Sequence, residues 1–212
     1  MKKTLRKVIY YCTGSIILSF GITLSILSEL GAGAFDALNS NSSKLLNTSM
    51  GNAMYLSIFI VYIITMLLKP KKIYVIGMLL TSLIGVGINI WAQILPDVDY
   101  SMWVRVLFFC GSLIFLPLGV TFIIRSKLPL GPMDNLLLIL VEKTNWSVAV
   151  IKTLIEGSYA VIALIFGICA NIGMGAVSIG TIIITLTVGP VIEFFMKFIK
   201  DIENVNIDDK RV

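Results

Sequence analysis

Six runs of apolar residues broken by short polar stretches set the rhythm of this chain, at about 8–28, 52–68, 73–94, 104–124, 149–170 and 174–196. A helix needs about 20 apolar residues to cross the hydrocarbon of a bilayer. The runs meet that length, the second being the shortest and expected to borrow residues at both ends. Pro70 and Pro96 fall between runs, where helices stop. The pattern predicts an all-α polytopic membrane protein of six transmembrane helices.

Two connections do not fit plain loops. The stretch after the first run, from Glu29 through Asp36 to Gly51, is long and rich in Gly, Ser and Asn. The stretch after the fourth, from Lys127 to Asp134, continues into a mostly apolar 135–141 before Glu142 and Lys143. That part is too short to span and predicts a re-entrant or interfacial half-helix. Asp36 and Asp134 each fall where such a half-helix would start, a position that favours an acidic residue.

Composition strengthens the membrane reading. Of 212 residues, 57% are hydrophobic and 14% charged, against roughly 25% charged in a soluble domain. The mean hydropathy is +0.95. The N-terminus, Met1-Lys2-Lys3 followed by an apolar run, superficially resembles a signal peptide, but no small-x-small cleavage site follows and the run is long enough to span. It is read as a retained first helix. The net charge of +5 comes from clusters between the runs, which argues for membrane orientation and against nucleic acid.

Those clusters predict the topology. With the N-terminus on the cytoplasmic side, fifteen of the seventeen Lys and Arg residues lie inside, and only Lys44 and Arg105 outside. Six spans with both ends inside satisfy the positive-inside rule, whereas five or seven would scatter the pattern.

Sliding the sequence on itself gives one dominant register, at an offset of 98. Between residues 12–38 and 110–136, eleven of twenty-seven positions match, among them Gly21/Gly119, Thr23/Thr121, Ser28/Ser126, Gly33/Gly131 and Asp36/Asp134. Ile84-Gly85 answers Val188-Gly189 near the end of each half, after a short insertion. Matching Ile and Leu is cheap in such a chain; matching Gly, Thr, Ser and Asp in one register is not. The organisation expected is a first three-helix repeat over 1–98, a second over 99–198 and a short cytoplasmic tail over 199–212. Three spans per copy put the second copy into the membrane upside down, so residues 8–94 should superpose on 104–196 by a rotation of about 180° around an axis in the membrane plane. Inverted repeats are a recurring plan of secondary transporters, with sites near the midplane at the repeat interface, where short or broken helices of both halves meet. Here that pointer falls on residues 31–36 and 129–134.

The run Leu30-Gly31-Ala32-Gly33-Ala34-Phe35-Asp36, its partner Leu130-Gly131-Pro132-Met133-Asp134, Lys152 to Glu156, and the closing Gly180-Thr181 and Val188-Gly189-Pro190 together resemble the YczE/YyaS/YitT group of bacterial integral membrane proteins. The resemblance spans about residues 8–196 and implies a multi-pass protein of the bacterial cytoplasmic (inner) membrane; it implies no activity. The chain departs from the group at Ala34, where proline is usual, at Pro129, where glycine is usual, and at Lys152, where arginine is usual.

The candidate substrate-binding residues are Gly31, Gly33, Asp36, Gly131, Pro132, Asp134, Lys152 and Glu156. The two aspartates could face a solute across the repeat interface, or simply cap helices after a tight glycine turn. Glycine at 33 and 131 would permit a positive φ and close approach. Lys152 and Glu156, four apart on one helix face, could form a functional buried pair or a structural one that snorkels to the interface. Asn89 and Glu193 occupy corresponding closing positions, Glu193 at the rim in water. Gly14, Gly77, Gly85, Gly87, Gly173, Gly175 and Gly180 should allow close helix contact, and Gly173-Met174-Gly175 a tight turn.

Enzyme chemistry finds no support. There is no histidine, no nucleophile elbow, no zinc-protease motif and no P-loop. Cys12, Cys110 and Cys169 are scattered and odd in number, and are expected to be plain helix-packing residues. No cofactor or metal is implied. Two functions compete: a small transporter or permease-like protein moving an unknown small solute or lipid, and a non-transporting accessory protein supporting a biosynthetic or stress-response system. The partners expected are the lipid bilayer and that solute, with no nucleic acid; assembly as a homo-oligomer stays open. A polar chamber between the two glycine loops would favour the transporter, a solid apolar interior the accessory role.

Overall fold

A computed structural model describes residues 2–95 and 99–199. The expected proline break at Pro96 and the tail from residue 200 onward lie outside the described residues. Among the described residues the chain forms eight helices: α1 (Lys2–Leu27), α2 (Ala34–Leu45), α3 (Met50–Leu68), α4 (Ile73–Ile94), α5 (Met102–Ser126), α6 (Pro132–Thr144), α7 (Val148–Cys169) and α8 (Ile179–Phe198). Six of them, all but α2 and α6, are long and apolar enough to cross a membrane. The two short helices are the half-helices that the aspartates foreshadow.

The surface is that of a protein dissolved in lipid. Large apolar side chains such as Leu67, Leu79, Leu107, Ile168 and Leu186 are exposed, while Ser19, Ser25, Ser28, Asn39, Asn41 and Thr65 are fully buried. Small and hydroxylated residues let helices approach where no hydrophobic effect drives them together. The three cysteines are exposed on the spans, so the expectation that they pack between helices is corrected: they face outward from the bundle.

The bundle is built on the crossing of α1 and α5. A Cβ on Gly21 would stand 2.7 Å from the amide nitrogen of Leu116, and one on Gly119 2.4 Å from that of Leu18. Each contact is the other shifted by the same 98 residues, so the glycines are needed for reciprocal close approach. The hydroxyls nearby are satisfied locally: Ser19, Thr23 and Ser25 in α1, Ser28 just past its end, and Ser112, Thr121 and Ser126 in α5 each donate to a carbonyl three or four residues back.

The ends of these helices repeat the same chemistry. Ser28 Oγ donates to Ser25 O and accepts from Leu30 N; Ser126 Oγ donates to Ile123 O and accepts from Leu128 N. The next residues, Glu29 (φ 53°) and Lys127 (φ 54°), both turn left-handed. Ser49 and Ser147 cap α3 and α7 alike, each accepting from the amide three residues on.

The last span begins later than the hydropathy suggests, at Ile179 and not 174. The intervening stretch is occupied otherwise: Gly173 (φ 65°) and Gly175 (φ 56°) make the turn, and the chain then runs extended past Ala176 to the capping box at Ser178. The packing is also uneven. α1 packs on α4 and α5 on α8, and α3 runs along α4, but among the described residues α7 and α8 do not pack along each other.

At the charged rims, Arg105 bridges Glu29 (2.5 Å) and Asp99 (2.8 Å), and Lys69 clasps Glu142. Lys69 holds the exposed Glu142 carboxyl below the usual carboxylate range. A lowered carboxylate contributes above its unfolded value and loses that contribution as pH falls through its folded one. Exposed pairs contribute little, so Glu142→Gln is expected to leave the melting temperature in detergent unchanged within error at pH 7, and a clear drop would contradict this.

Candidate functional site

The first half-helix is hung from the opposite half of the chain. Ala32 N donates to Ala176 O (3.0 Å) and Gly180 N to Leu30 O (2.9 Å), so the irregular backbone of residues 30–32 is paired with the stretch before α8 and with its first turn. Such pairing is what lets non-helical backbone exist at membrane depth. Gly31 carries the conformation this demands, φ 127°, with its Cα against Gly180 and Thr181. α2 then presents Ala34, Ala37 and Leu38 to Tyr159 and Ala163 of α7. Asn41 locks it there. It is fully buried, donates to Ala163 O (2.8 Å) and Met174 O (3.1 Å), and accepts from Ala176 N (2.9 Å).

The second half-helix is seated against α3 and α4. Thr65 Oγ1 donates to Pro132 O (3.4 Å), and Asn135 Nδ2 to Leu130 O (2.9 Å). Leu130 O lies 1.9 Å from where a Cβ on Gly77 would stand, and Thr81 Oγ1 lies 2.6 Å from one on Gly131. Pro132 occupies the first turn, where its missing N–H costs nothing. Gly77 and Thr81 lie one and two turns inside α4, so α6 starts within the bundle and ends at Glu142 beside Lys69.

Gly33 and Gly131 are the N-caps of α2 and α6, and Ala37 N and Asn135 N donate to their carbonyls. Their φ values are −55° and −67°, so the expected positive φ at these two glycines is corrected. The left-handed positions are Glu29, Gly31 and Lys127. What Gly33 and Gly131 supply is room: Asp36 Oδ2 sits 3.1 Å from a Cβ on Gly33. The aspartates stand in the first turn of each half-helix, where negative charge complements the dipole, and the cap positions themselves are glycines without a capping side chain.

The structure gathers the predicted charges. Asp36 is half-buried within electrostatic reach of Glu156, itself half-buried. Asp134 is accessible and feels Lys152, as does Glu156. Lys152 and Glu156 attract each other without forming an ion pair, so neither the functional nor the structural pair expected from their spacing is closed here. Glu193 is exposed, as its rim position predicts. Asn89 is not part of this group: its Oδ1 accepts from Gly51 N (3.1 Å), joining α4 to the start of α3.

Sequence reasoning missed three members. Tyr159 lies one turn beyond Glu156, packs tilted against Phe35 with ring centroids 5.3 Å apart, donates to Met133 Sδ (2.8 Å), and feels both Glu156 and Asp134. Tyr11 lies beside Thr81 and within electrostatic reach of Asp134. Asn41 had no signal in a loop full of Ser and Asn, whereas a phenol inside an apolar run is a signal that could have found the tyrosines. Among the described residues no set of three His, Cys, Asp or Glu is placed to hold a metal ion. A separate cavity of about 230 Å³ lies at the far end of the first half, lined by Thr23, Ser40, Ser43, Lys44, Thr48 and Asn89 among others.

The arrangement offers carboxylates, one ammonium and two phenols around the starts of two half-helices, with no nucleophile–base pair among them. Comparison with known proteins supplies no activity either. The family of unknown function DUF6198 matches residues 5–197. The uncharacterized protein YyaS of Bacillus subtilis is 29% identical over 92% of this chain and 94% of its own length. The uncharacterized membrane protein YczE of the same organism is 29% identical over 87% of this chain and 83% of its own. An uncharacterized protein of Haemophilus influenzae is 24% identical over 89% and 83%. No solved structure matches.

Proposed function

The chain belongs to DUF6198, a family without an assigned activity, and on that footing we propose that it is a small transporter whose site lies where its two half-helices meet. The observation that carries the reading is that Tyr159 of α7 touches both half-helices, against Phe35 of α2 and Met133 of α6. Asp36 and Asp134, in the first turns of those half-helices, face Lys152, Glu156 and Tyr159 of α7. Half-helices that aim their starts at a common polar region are the means by which transporters hold solutes and coupling ions at the midplane. A polar region of this kind also weighs against the accessory role, which needs no charged interior.

The reading takes the two halves as inverted copies. Support comes from the reciprocal Gly21–Leu116 and Gly119–Leu18 contacts, the matched helix ends at Ser28 and Ser126, and the matched caps Gly33 and Gly131. With three spans between them, equal local structures point to opposite faces of the membrane. The orientation follows from charge: N- and C-termini cytoplasmic, in the bacterial inner membrane. Impermeant thiol labelling of single cysteines is expected to reach the exposed residues 44–48 from outside and 70–72 from inside, and the reverse pattern would sink the orientation.

The function itself is tested by reconstituting the protein in vesicles and screening uptake across chemically diverse small solutes. For a transported solute, Asp36→Asn and Asp134→Asn are each expected to reduce uptake by about tenfold or more, since intramembrane ionisable groups mark solute and ion paths. Uptake that is indifferent to both substitutions would remove the site, and no uptake of any solute would favour the accessory role.

A further inference from the structure

The same glycine of the repeat meets two different surroundings. Gly85 is buried against α3: a Cβ there would lie 2.4 Å from the Tyr55 ring and 3.1 Å from Gly51 O. Gly189, its counterpart in α8, is exposed and has nothing within 4 Å of a Cβ. One helical turn further along, Asn89 latches the first seam. Its Oδ1 accepts from Gly51 N, an amide at the start of α3 with no partner in its own helix, and its Nδ2 donates to Asn52 Oδ1 (3.4 Å). The residue that answers Asn89 is the exposed Glu193, and the one that answers Asn52 is the exposed Val150. The whole α3–α4 seam is thus shut, and the α7–α8 seam, built from the equivalent helices, is parted.

From this we infer that the two seams are alternating gates to the site at Asp36 and Asp134, caught here with α3–α4 shut and α7–α8 open. The inference rests on the transport reading and says which surfaces move. Two chemically similar halves have a shared repertoire of packings, so the arrangement one half holds is available to the other: α7 can close on α8 across Gly189 as α3 closes on α4 across Gly85. The accessibility of Asp134 and Lys152, both in the second half, fits an entrance on that side, while Asp36 in the first half is covered further. The 230 Å³ cavity that Asn89 lines is then the remnant of the opposite vestibule, with Ser40 and Ser43 following Asp36 along one face of α2.

Cysteine crosslinking tests this in the full-length chain. Cys12, Cys110 and Cys169 are first replaced by serine. One pair, Asn52→Cys with Asn89→Cys, reports the shut seam; a second, Val150→Cys with Glu193→Cys, reports the parted one. In native membranes under a copper–phenanthroline oxidant, each pair alone is expected to crosslink within one chain. With all four cysteines present, a given chain is expected to carry one crosslink or the other, rarely both. Asn89→Ala, placed in the Val150/Glu193 background, removes the latch without adding a thiol and is expected to speed the α7–α8 crosslink about fivefold. An α7–α8 crosslink that never forms, that forms only between two chains, or that coexists with the other in most chains would overturn the proposal. Alternating crosslinks without uptake of any solute would keep the gates and remove the transport reading; uptake without alternation would do the opposite.

Discussion

Gly31→Val is expected to leave little folded protein in the membrane. Two independent costs meet at this residue. Its φ of 127° belongs to glycine, and a side chain there costs about 1–2 kcal/mol. A Cβ would also stand 2.6 Å from the backbone nitrogen of Thr181 and 2.8 Å from the Cα of Gly180, atoms that cannot swing aside. Forcing mass into such a contact costs about 1–3 kcal/mol more. It also pulls apart the pairing of Leu30 O with Gly180 N, which supports the backbone of the first half-helix. The sum, about 2–5 kcal/mol before the lost pairing is counted, is a large part of a typical domain's stability. The measurement is monodisperse recovery and melting temperature in mild detergent, with Gly157→Ala as control. Gly157 has open space around its Cβ position inside α7, so alanine there is expected to be neutral or to stabilise by about 0.5–1 kcal/mol. Wild-type-like recovery of Gly31→Val would show that the loop is not held as described.

Asn41→Leu is expected to be nearly as severe and to act differently. Leucine fills a similar volume, so little is lost by cavity formation; what disappears is the fastening of α2 to α7 and to the turn after it. Two donated bonds and one accepted bond go at once: Ala163 O and Met174 O each lose one donor, Met174 O keeping Val177 N, and Ala176 N loses its acceptor. A lost hydrogen bond costs about 1 kcal/mol net, and each orphaned buried group about 1–3 kcal/mol, so a total of about 3 kcal/mol or more is expected. Limited proteolysis in membranes should then cut between α1 and α3 at sites that are protected in the wild type, while the long helices stay intact. A protease pattern identical to wild type would mean that α2 is held by its apolar face alone.

The six spans were legible because lipid imposes one requirement on each, length of apolar chain, and the hydropathy meets it without help from tertiary context. The half-helices were legible unequally. The apolar run 135–141 announced α6. α2 is foreshadowed only by Asp36 and the repeat, because its sequence, AFDALNSNSSKL, places Asn and Ser on the buried side and shows no apolar run. Its interior is polar because it faces carbonyls of α7 and the following turn, and no local pattern encodes a partner more than 120 residues away. The late start of α8 has the same cause, since residues 174–178 are apolar enough to join the helix but are committed to the turn and to pairing with residues 30–32. The charged members of the candidate site were found through the repeat, which singled out two aspartates among many polar loop residues. The closeness of Lys152 and Glu156 in sequence suggested an ion pair that the folded chain does not close. Tyr11 and Tyr159 were overlooked because phenols among Ile and Val look like core.

The hydroxyls of the α1–α5 crossing carry a mechanical consequence. Because Ser19, Thr23, Ser112 and Thr121 spend their protons on their own helices, those donors tie neither helix to the other. The two halves meet there through glycine, aliphatic and aromatic surface, at Gly14, Gly21 and Gly119 and at the ring pairs Tyr10–Phe122 and Phe20–Phe115. Dispersion contacts fade and re-form gradually as surfaces slide, whereas a hydrogen bond must break outright before another can form. The crossing therefore behaves as a dry bearing: stiff against separation, with low friction against turning. Cross-helix hydrogen bonds introduced at this level, for instance by Leu18→Asn opposite Gly119, are expected to act as a brake and slow any rotation of one half on the other while raising the melting temperature.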